Sequence, residues 1–269
     1  MLKEIAAHKW REVIRCKQEF PQEEIIKQLS FLPPPRNFKE ALLQCAPGVG
    51  MIAEIKKASP SGGKIISPFA MERSPAEIAL LYERAGAAAV SVLTEERYFA
   101  GSPADLREVK NAVGIPVLRK DFIVDEYQIY ESRAMGADAV LLITSLLAVV
   151  ELQRFLRLLD TLGMGALVEV GKKDDILHAV QAGAQVIGIN NRNLHTMEID
   201  LMRTLAWGPF VPRDRLLVSA SGIHCREQVE RLHEGSGINA VLVGSSLMKS
   251  GNPAAKIREL MGIDERCAC

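Results

Sequence analysis

Short apolar runs of strand length recur along this chain, and nearly every one ends on its C-terminal side in charged or polar residues. Met51-Ile52-Ala53 runs into Glu54, Lys56 and Ser59, and Val117-Leu118 into Arg119-Lys120-Asp121. Ala166-Leu167-Val168 meets Glu169, and Val186-Ile187-Gly188-Ile189 meets Asn190-Asn191-Arg192. Leu216-Leu217-Val218 gives way to Ser219-Ala220-Ser221-Gly222. A core has no use for a lysine or a carboxylate at the mouth of each strand. A site built at one rim of a parallel sheet does, because side chains from distant sequence positions converge there.

From about residue 50 the order strand, turn, helix repeats. Candidate strands are 50–55, 88–93, 116–120, 138–143, 165–169, 185–189, 216–220 and 239–243. Helical segments at 75–85, 103–112, 125–135, 148–161, 173–182 and 225–234 lie between them. Ala85-Gly86-Ala87, Met135-Gly136-Ala137 and Ala182-Gly183-Ala184 each follow a helix and precede a strand, where glycine supplies a left-handed cap. Ser74-Pro75 and Ser102-Pro103 place a capping hydroxyl before a proline suited to the first helical turn. Eight such units in about 220 residues make an α/β fold of the (β/α)8 barrel type. A doubly wound sheet would carry a glycine-rich first turn, and neither Gly48-Val49-Gly50 nor Ser61-Gly62-Gly63 has that spacing.

Residues 3–29 read as one or two amphipathic helices, with Ile5, Trp10, Val13 and Ile14 and then Ile25, Ile26 and Leu29 near helical spacing; Pro21 opens the second piece. Pro33-Pro34-Pro35 ends helical structure. The chain is therefore expected to divide into a helical extension, 1–47, packed on a barrel, 48–269, that carries the active site in one structural unit.

Composition narrows the function classes. With 33 Lys+Arg against 33 Asp+Glu, no net field draws the protein to nucleic acid or an anionic membrane, so any anion must be held by local groups. No apolar stretch approaches the roughly 20 residues of a spanning helix. The N-terminus lacks a signal-like apolar block, and a cytoplasmic protein is expected. The five cysteines, Cys16, Cys45, Cys225, Cys267 and Cys269, lack a metal-ligand spacing and are expected to be reduced thiols without a function.

Strand side chains alternate, so Glu54 and Lys56 point the same way into the barrel mouth. A structural ion pair plugging the barrel would explain those two alone. It does not explain Lys120, Glu169, Asn190 and Arg192 arriving at the same rim, and chemistry is the better reading. After strands seven and eight come Gly222 and Gly244-Ser245-Ser246, where such barrels commonly hold a phosphate on backbone amides and serine hydroxyls.

Together these residues carry a family resemblance. Ala53-Glu54-Ile55-Lys56-Lys57-Ala58-Ser59-Pro60-Ser61 resembles the signature of indole-3-glycerol-phosphate synthase, the ring-closing enzyme of tryptophan biosynthesis. Ser91-Val92-Leu93-Thr94-Glu95, Phe99-Ala100-Gly101-Ser102 and Leu118-Arg119-Lys120-Asp121-Phe122-Ile123 follow in order. So do Leu167-Val168-Glu169-Val170, Ile189-Asn190-Asn191-Arg192-Asn193-Leu194 and Gly244-Ser245. The likeness is collinear over most of the chain and includes the helical extension.

The resemblance implies a carboxy-lyase that converts 1-(2-carboxyphenylamino)-1-deoxyribulose 5-phosphate to indole-3-glycerol phosphate, releasing carbon dioxide and water. It implies Lys120 as principal general acid, Glu169 as general base, and Lys56 as holder of the substrate carboxylate and second acid. Arg192 and Asn190 would position anionic and hydroxyl groups, and Glu54 would orient the lysines, Lys120 being helped by neighbouring cations that lower its pKa. Ser59, Ser221, Gly222, Gly244 and Ser245 fall where the family holds the substrate, most of them around its phosphate. Phe99 and Phe122, with Leu194, would clasp the anthranilate ring, although core packing explains the phenylalanines equally well. No metal or redox cofactor is implied, since the electrons stay within the substrate. The expected partner is that small molecule alone, bound by a monomer; contact with other tryptophan-pathway enzymes is left open.

One position departs from the pattern. The family's strand-seven motif reads Ser-Glu-Ser-Gly-Ile, and here it is Ser219-Ala220-Ser221-Gly222-Ile223. Losing that carboxylate would leave an excess of positive charge, with tighter anion binding or poorly oriented lysines as outcomes. The alternative reading is therefore an impaired or diverged paralogue that still binds the phospho-sugar. A phosphoribosylanthranilate isomerase ranks below both, because its chemistry wants a cysteine or aspartate pair where this chain has Glu54/Lys56 and Asn190.

Overall fold

The computed structural model describes residues 2–45, 48–59, 63–64, 67–193 and 196–263, with Ser59, Gly63 and Lys64 described by backbone alone. Eight parallel strands close into a barrel: β1 (Gly50–Ile55), β2 (Ala89–Leu93), β3 (Val117–Lys120), β4 (Ala139–Ile143), β5 (Gly165–Val170), β6 (Val186–Asn190), β7 (Leu216–Ala220) and β8 (Ala240–Val243). Each pairs with its sequence neighbours, and β1 closes the ring on β8 with Gly50 opposite Ala240. The expected strand limits hold to within a residue or so.

Side-chain alternation sorts the strands into two cores. Met51, Ala53, Val90, Val140, Val168, Ile187 and Val241 face outward into the main hydrophobic layer under the helices. Ile52, Leu118, Leu141, Leu167, Val218 and Leu242 face inward and fill the barrel. Counting two residues further along each strand places Glu54, Lys120, Glu169 and Ala220 above that apolar floor, on the inward face. The site therefore sits on a packed core, not over a pore.

The helices start where their caps allow. Ser74 accepts from the Glu77 amide ahead of the helix Pro75–Arg84, and the Glu77 carboxylate accepts from the Ser74 amide. Ser102 accepts from the Ala104 amide ahead of Pro103–Ala112. Gly86, Gly136 and Gly183 have φ of 99°, 90° and 94°, the left-handed turns expected before β2, β4 and β6.

The N-terminal extension forms α1 (Leu2–Glu19), α2 (Gln22–Leu29) and a third helix, α3 (Phe38–Leu43), which the sequence reading did not anticipate after three prolines. Asn37 caps α3 by accepting from the Glu40 amide at 3.1 Å. Phe38 and Leu42 then insert among the inward-facing residues and close the N-terminal end of the barrel. Burying a side chain of that size is worth about 2–3 kcal/mol.

The buried stripe of α1 also differs from the expected one. Ile5 and Val13 are buried, but Trp10 and Ile14 are largely exposed, and the residue between the buried pair is Lys9, only 2% exposed. Its ammonium lies 3.0 Å from Asp121 and 2.9 Å from Glu12. Burial alone would depress the Lys9 pKa, but the charges of Asp121 and Glu12 outweigh it and hold the ammonium above its ordinary value. Asp121 also accepts from Thr94 at 2.6 Å and from the buried Arg119 at 3.0 Å, and Arg119 continues to Glu131 at 2.7 Å. The extension is thus tied by a buried charge to the residue following Lys120.

Lys9→Met strips one cation from a buried carboxylate that keeps Arg119 and Thr94. Urea unfolding is expected to show a loss of about 2–4 kcal/mol. Adding Asp121→Asn to that background should cost less than Asp121→Asn costs in the native chain.

Candidate active site

At the C-terminal mouth of the barrel a cavity of about 320 Å³ collects side chains from most of the strands. Glu54, on the last turn of the β1 pleat, is its electrostatic centre and is 3% exposed. Its Oε1 lies 2.7 Å from the Lys56 ammonium and its Oε2 lies 3.4 Å from that of Lys120. Lys120 in turn approaches Glu169 Oε2 at 4.0 Å. Glu169 Oε1 accepts from Asn190 Nδ2 at 3.0 Å, and Asn190 Oδ1 accepts from Ser221 Oγ at 3.0 Å and from the Arg192 amide at 2.9 Å. One chain of polar contacts therefore runs through β1, β3, β5, β6 and the end of β7.

The charges within that chain set each other's protonation. Burial works against the Glu54 carboxylate, but Lys56 and Lys120 overcome it and hold its pKa down to about 2. Burial likewise works against the Lys120 ammonium, but Glu54 and Glu169 outweigh it and raise its pKa above the ordinary lysine value. This corrects the expectation that neighbouring cations lower the Lys120 pKa: its nearest charged neighbours are carboxylates. Arg192, by contrast, is shifted down by burial, with Glu54 opposing the shift.

The glycine and serine cluster stands against the same charges. A Cβ placed on Gly244 would run into Glu54 Oε1 and lie 3.0 Å from the Lys56 ammonium. Only a glycine lets the β8 loop close on that pair. After β7 the chain takes two consecutive left-handed residues, Ser221 (φ 73°) and Gly222 (φ 83°). For a serine this costs roughly 1–2 kcal/mol. It is held by the bond from Ser221 to Asn190 and by Asn191 Nδ2, which donates to the Ser221 carbonyl at 3.0 Å. Asn191 is itself fully buried and locked to Ser219 and Thr204. Strained backbone that is over-determined in this way is typical of functional sites.

The cavity brings together Lys56, Lys120, Glu169, Glu54, Asn190, Arg192, Ser221, Gly222, Gly244 and Ser245 from the sequence reading. Phe99 and Phe122 line it too, with ring centroids 6.0 Å apart, and Phe122 also packs against the inward-facing core. The backbone of Ser59 pairs with Gly63 in a short hairpin beyond β1. Its side chain, and all of Leu194, Cys267 and Cys269, lie outside the described residues. Sequence reasoning missed Leu2 and Ile5 of α1, and His224 and Lys249, all of which border the cavity. The uneven stripe of α1, with a lysine where an apolar residue belongs, was the available signal for the first two.

Comparison with known proteins decides the lineage. Residues 2–260 match the sequence profile of the family described as indole-3-glycerol phosphate synthase. The chain belongs to that family. A relative from Endomicrobium trichonymphae carrying the family's name is 50% identical over 224 residues, covering 83% of this chain and 84% of its own. Another, from Alkaliphilus metalliredigens, is 42% identical over 260 residues, covering 97% of each. Among solved structures, a 3-hexulose-6-phosphate synthase superposes with a TM-score of 0.61 at 18% identity, over 80% of this chain and 99% of its own. A thiamine phosphate pyrophosphorylase from Pyrococcus furiosus gives 0.59 at 14% identity, over 84% and 97%. These two show the barrel alone. The family assignment rests on the sequence matches.

Because the Glu54 pKa is lowered by its folded environment, its contribution to stability is whole above an unfolded value of about 4.5 and is lost as pH falls toward about 2. The stability gap between the native chain and Glu54→Gln, measured by urea unfolding, is expected to be large at pH 7 and to narrow steadily below about pH 4.5.

Proposed function

We propose that this chain is an indole-3-glycerol-phosphate synthase that works at the Lys120–Glu169 pair. The observation that carries the reading is the Lys120 ammonium held between Glu54 and Glu169 at the mouth of the barrel, beside the glycine and serine cluster. The substrate is the anthranilate-derived ribulose phosphate, 1-(2-carboxyphenylamino)-1-deoxyribulose 5-phosphate. Carbon dioxide and water leave with indole-3-glycerol phosphate.

In the first step the ring carbon bearing the carboxylate attacks the sugar ketone, and the carbonyl oxygen becomes an alkoxide. Lys120, charged at rest, gives that oxygen a proton; an alkoxide is far more basic than an amine, so the raised pKa does not prevent the transfer. Lys56, held by Glu54 at the rim, pairs with the substrate carboxylate and serves as a second acid. Loss of carbon dioxide leaves its electron pair in the ring. Dehydration then requires a proton on the departing hydroxyl, which Lys56 supplies, and removal of one from carbon, which Glu169, positioned by Asn190, takes. Phe99 and Phe122 flank the aromatic ring, Arg192 and Asn190 orient the sugar, and Ser59 and Leu194 complete the substrate contacts. Ser221, Gly222, Gly244 and Ser245 receive the phosphate.

Residues 1–47 and 48–269 act in this reading as extension and barrel of one enzyme, a monomer. Free thiols at Cys16, Cys45 and Cys225 support a cytoplasmic setting. Among the described residues no helix is long and apolar enough to cross a membrane.

Ala220 does not argue for a lesion. It is 3% exposed, in register with Asn190 and Leu242, and lines the cavity wall. The lysines that a carboxylate at 220 would steady are already held by Glu54.

Incubation with the carboxyphenylamino sugar phosphate is expected to yield indole fluorescence, and folded protein without product above background would remove the reading. Lys120→Met and Glu169→Gln should each lower kcat by about 10²–10⁴-fold with intact folding. Ala220→Glu is expected to change kcat by less than about tenfold, since the lysines do not depend on it. A large rate gain would instead identify an impaired paralogue.

A further inference from the structure

The loop after β7 carries a histidine that the catalytic scheme does not use. His224 lines the cavity next to Gly222, Gly244 and Ser245, and its Nδ1 lies 2.8 Å from Ser246 Oγ. The same Ser246 hydroxyl lies 2.6 Å from the Ile223 carbonyl, which can only accept. A serine hydroxyl has one hydrogen. It goes to the carbonyl, so Nδ1 must carry a proton and donate to Ser246 Oγ. The tautomer follows. When His224 is neutral its Nε2 presents a lone pair; when it is protonated, Nε2 presents an N–H. Its own backbone is fixed by Gln228 Oε1, which accepts from the His224 amide at 2.7 Å and the Cys225 amide at 3.3 Å.

A phosphate dianion accepts hydrogen bonds and donates none, so only the imidazolium form of this histidine can serve it. We propose that His224 is a further phosphate ligand, engaged as imidazolium, with Lys249 supplying a fixed positive charge on the same side of the cavity. The proposal rests on the phosphate position given above. It adds a proton to the binding equilibrium: a dianion and a proton at His224 favour each other.

Other charges border this end of the cavity or the head of the helix Arg226–Ser236. Lys56, Arg192 and Lys249 line the cavity, and lysine and arginine side chains ordinarily stay cationic between pH 5.5 and 8. Glu227 is held below the ordinary carboxylate range by bonds from its own backbone amide and from Cys225. It stays anionic. The Cys225 thiol adjoins His224 in sequence. Imidazole is the side chain whose ordinary titration falls inside that pH range.

Sulfate is a suitable probe because it remains a dianion throughout, so any pH dependence of its binding belongs to the protein. Calorimetric titration of the full chain with sulfate from pH 5.5 to 8 should show affinity falling by about tenfold, the size of one charge-assisted hydrogen bond. His224→Asn keeps a donor near the Nδ1 position, and so the brace to Ser246, but removes the titrating Nε2. Its sulfate affinity should be flat with pH. Lys249→Met should weaken binding at every pH and keep the slope. In the native chain, sulfate should raise the midpoint of one histidine in imidazole ¹H–¹⁵N NMR spectra, a readout that needs no variant. Equal slopes in native and His224→Asn protein, or no histidine whose midpoint moves, would overturn the proposal. Turnover measured on the same preparation separates the two readings: an active enzyme with pH-independent sulfate binding loses only the His224 role.

Discussion

A carboxylate buried at the mouth of a barrel is unfavourable unless cations meet it, and the whole rim is arranged around that requirement at Glu54. It sits two residues beyond Ile52 on the inward face of β1, where the apolar floor ends. Lys56 reaches it from just past the end of β1 and Lys120 from β3, so one buried anion fixes two long, flexible side chains that would otherwise wander. Lysine loses about 2 kcal/mol of rotamer freedom when immobilised. Paying that cost before substrate arrives is what a preorganised site does.

The same logic extends around the ring. Glu169 holds Lys120 and Asn190 with different oxygens, Asn190 uses its other polar atom to hold Ser221, and each of the three stands at or just past the end of a different strand. Within the Glu54–Lys56–Lys120–Glu169 set the formal charges cancel, so the core of the rim is neutral. Arg192, Lys249 and the left-handed Ser221–Gly222 turn border the same cavity beyond it, and in the proposed scheme they meet the substrate's anionic ends. At the other end of the barrel, Phe38 and Leu42 of α3 close the interior, and chemistry is confined to one face.

Most of this was legible in the sequence because it depends on local rules. Period-two alternation put Glu54 and Lys56 on one face, and serine–proline caps and glycine turns marked the helix limits. What stayed hidden depends on contacts far apart in sequence. α3 follows three prolines, and its reason for existing is the open end of a barrel that begins later in the chain. The burial of Lys9 has no local signal, because nothing near it in sequence announces Asp121. His224 carries no motif; it matters only because Ser246, on the next strand's loop, fixes its tautomer. The phenylalanines were ambiguous for the same reason: both line the cavity, and Phe122 also packs on the core. The direction of the Lys120 pKa was misread because Glu54 was credited with orienting the lysines and not with charging them.

That direction bears on how an acid and a base can share a site. Lys120 owes its raised pKa to two carboxylates, Glu54 and Glu169, and the second of these is the proposed base. Interactions between titrating groups are reciprocal. When Glu169 takes a proton from carbon it becomes neutral, one of the anions favouring the Lys120 ammonium disappears, and the lysine becomes a stronger acid. Loss of the Glu169 charge thus favours proton release from Lys120. Glu54, paired to Lys56 as well, stays ionised through the exchange and keeps the lysine in place. Lys120 is therefore resistant to discharge at rest, a property it owes to its two carboxylate neighbours.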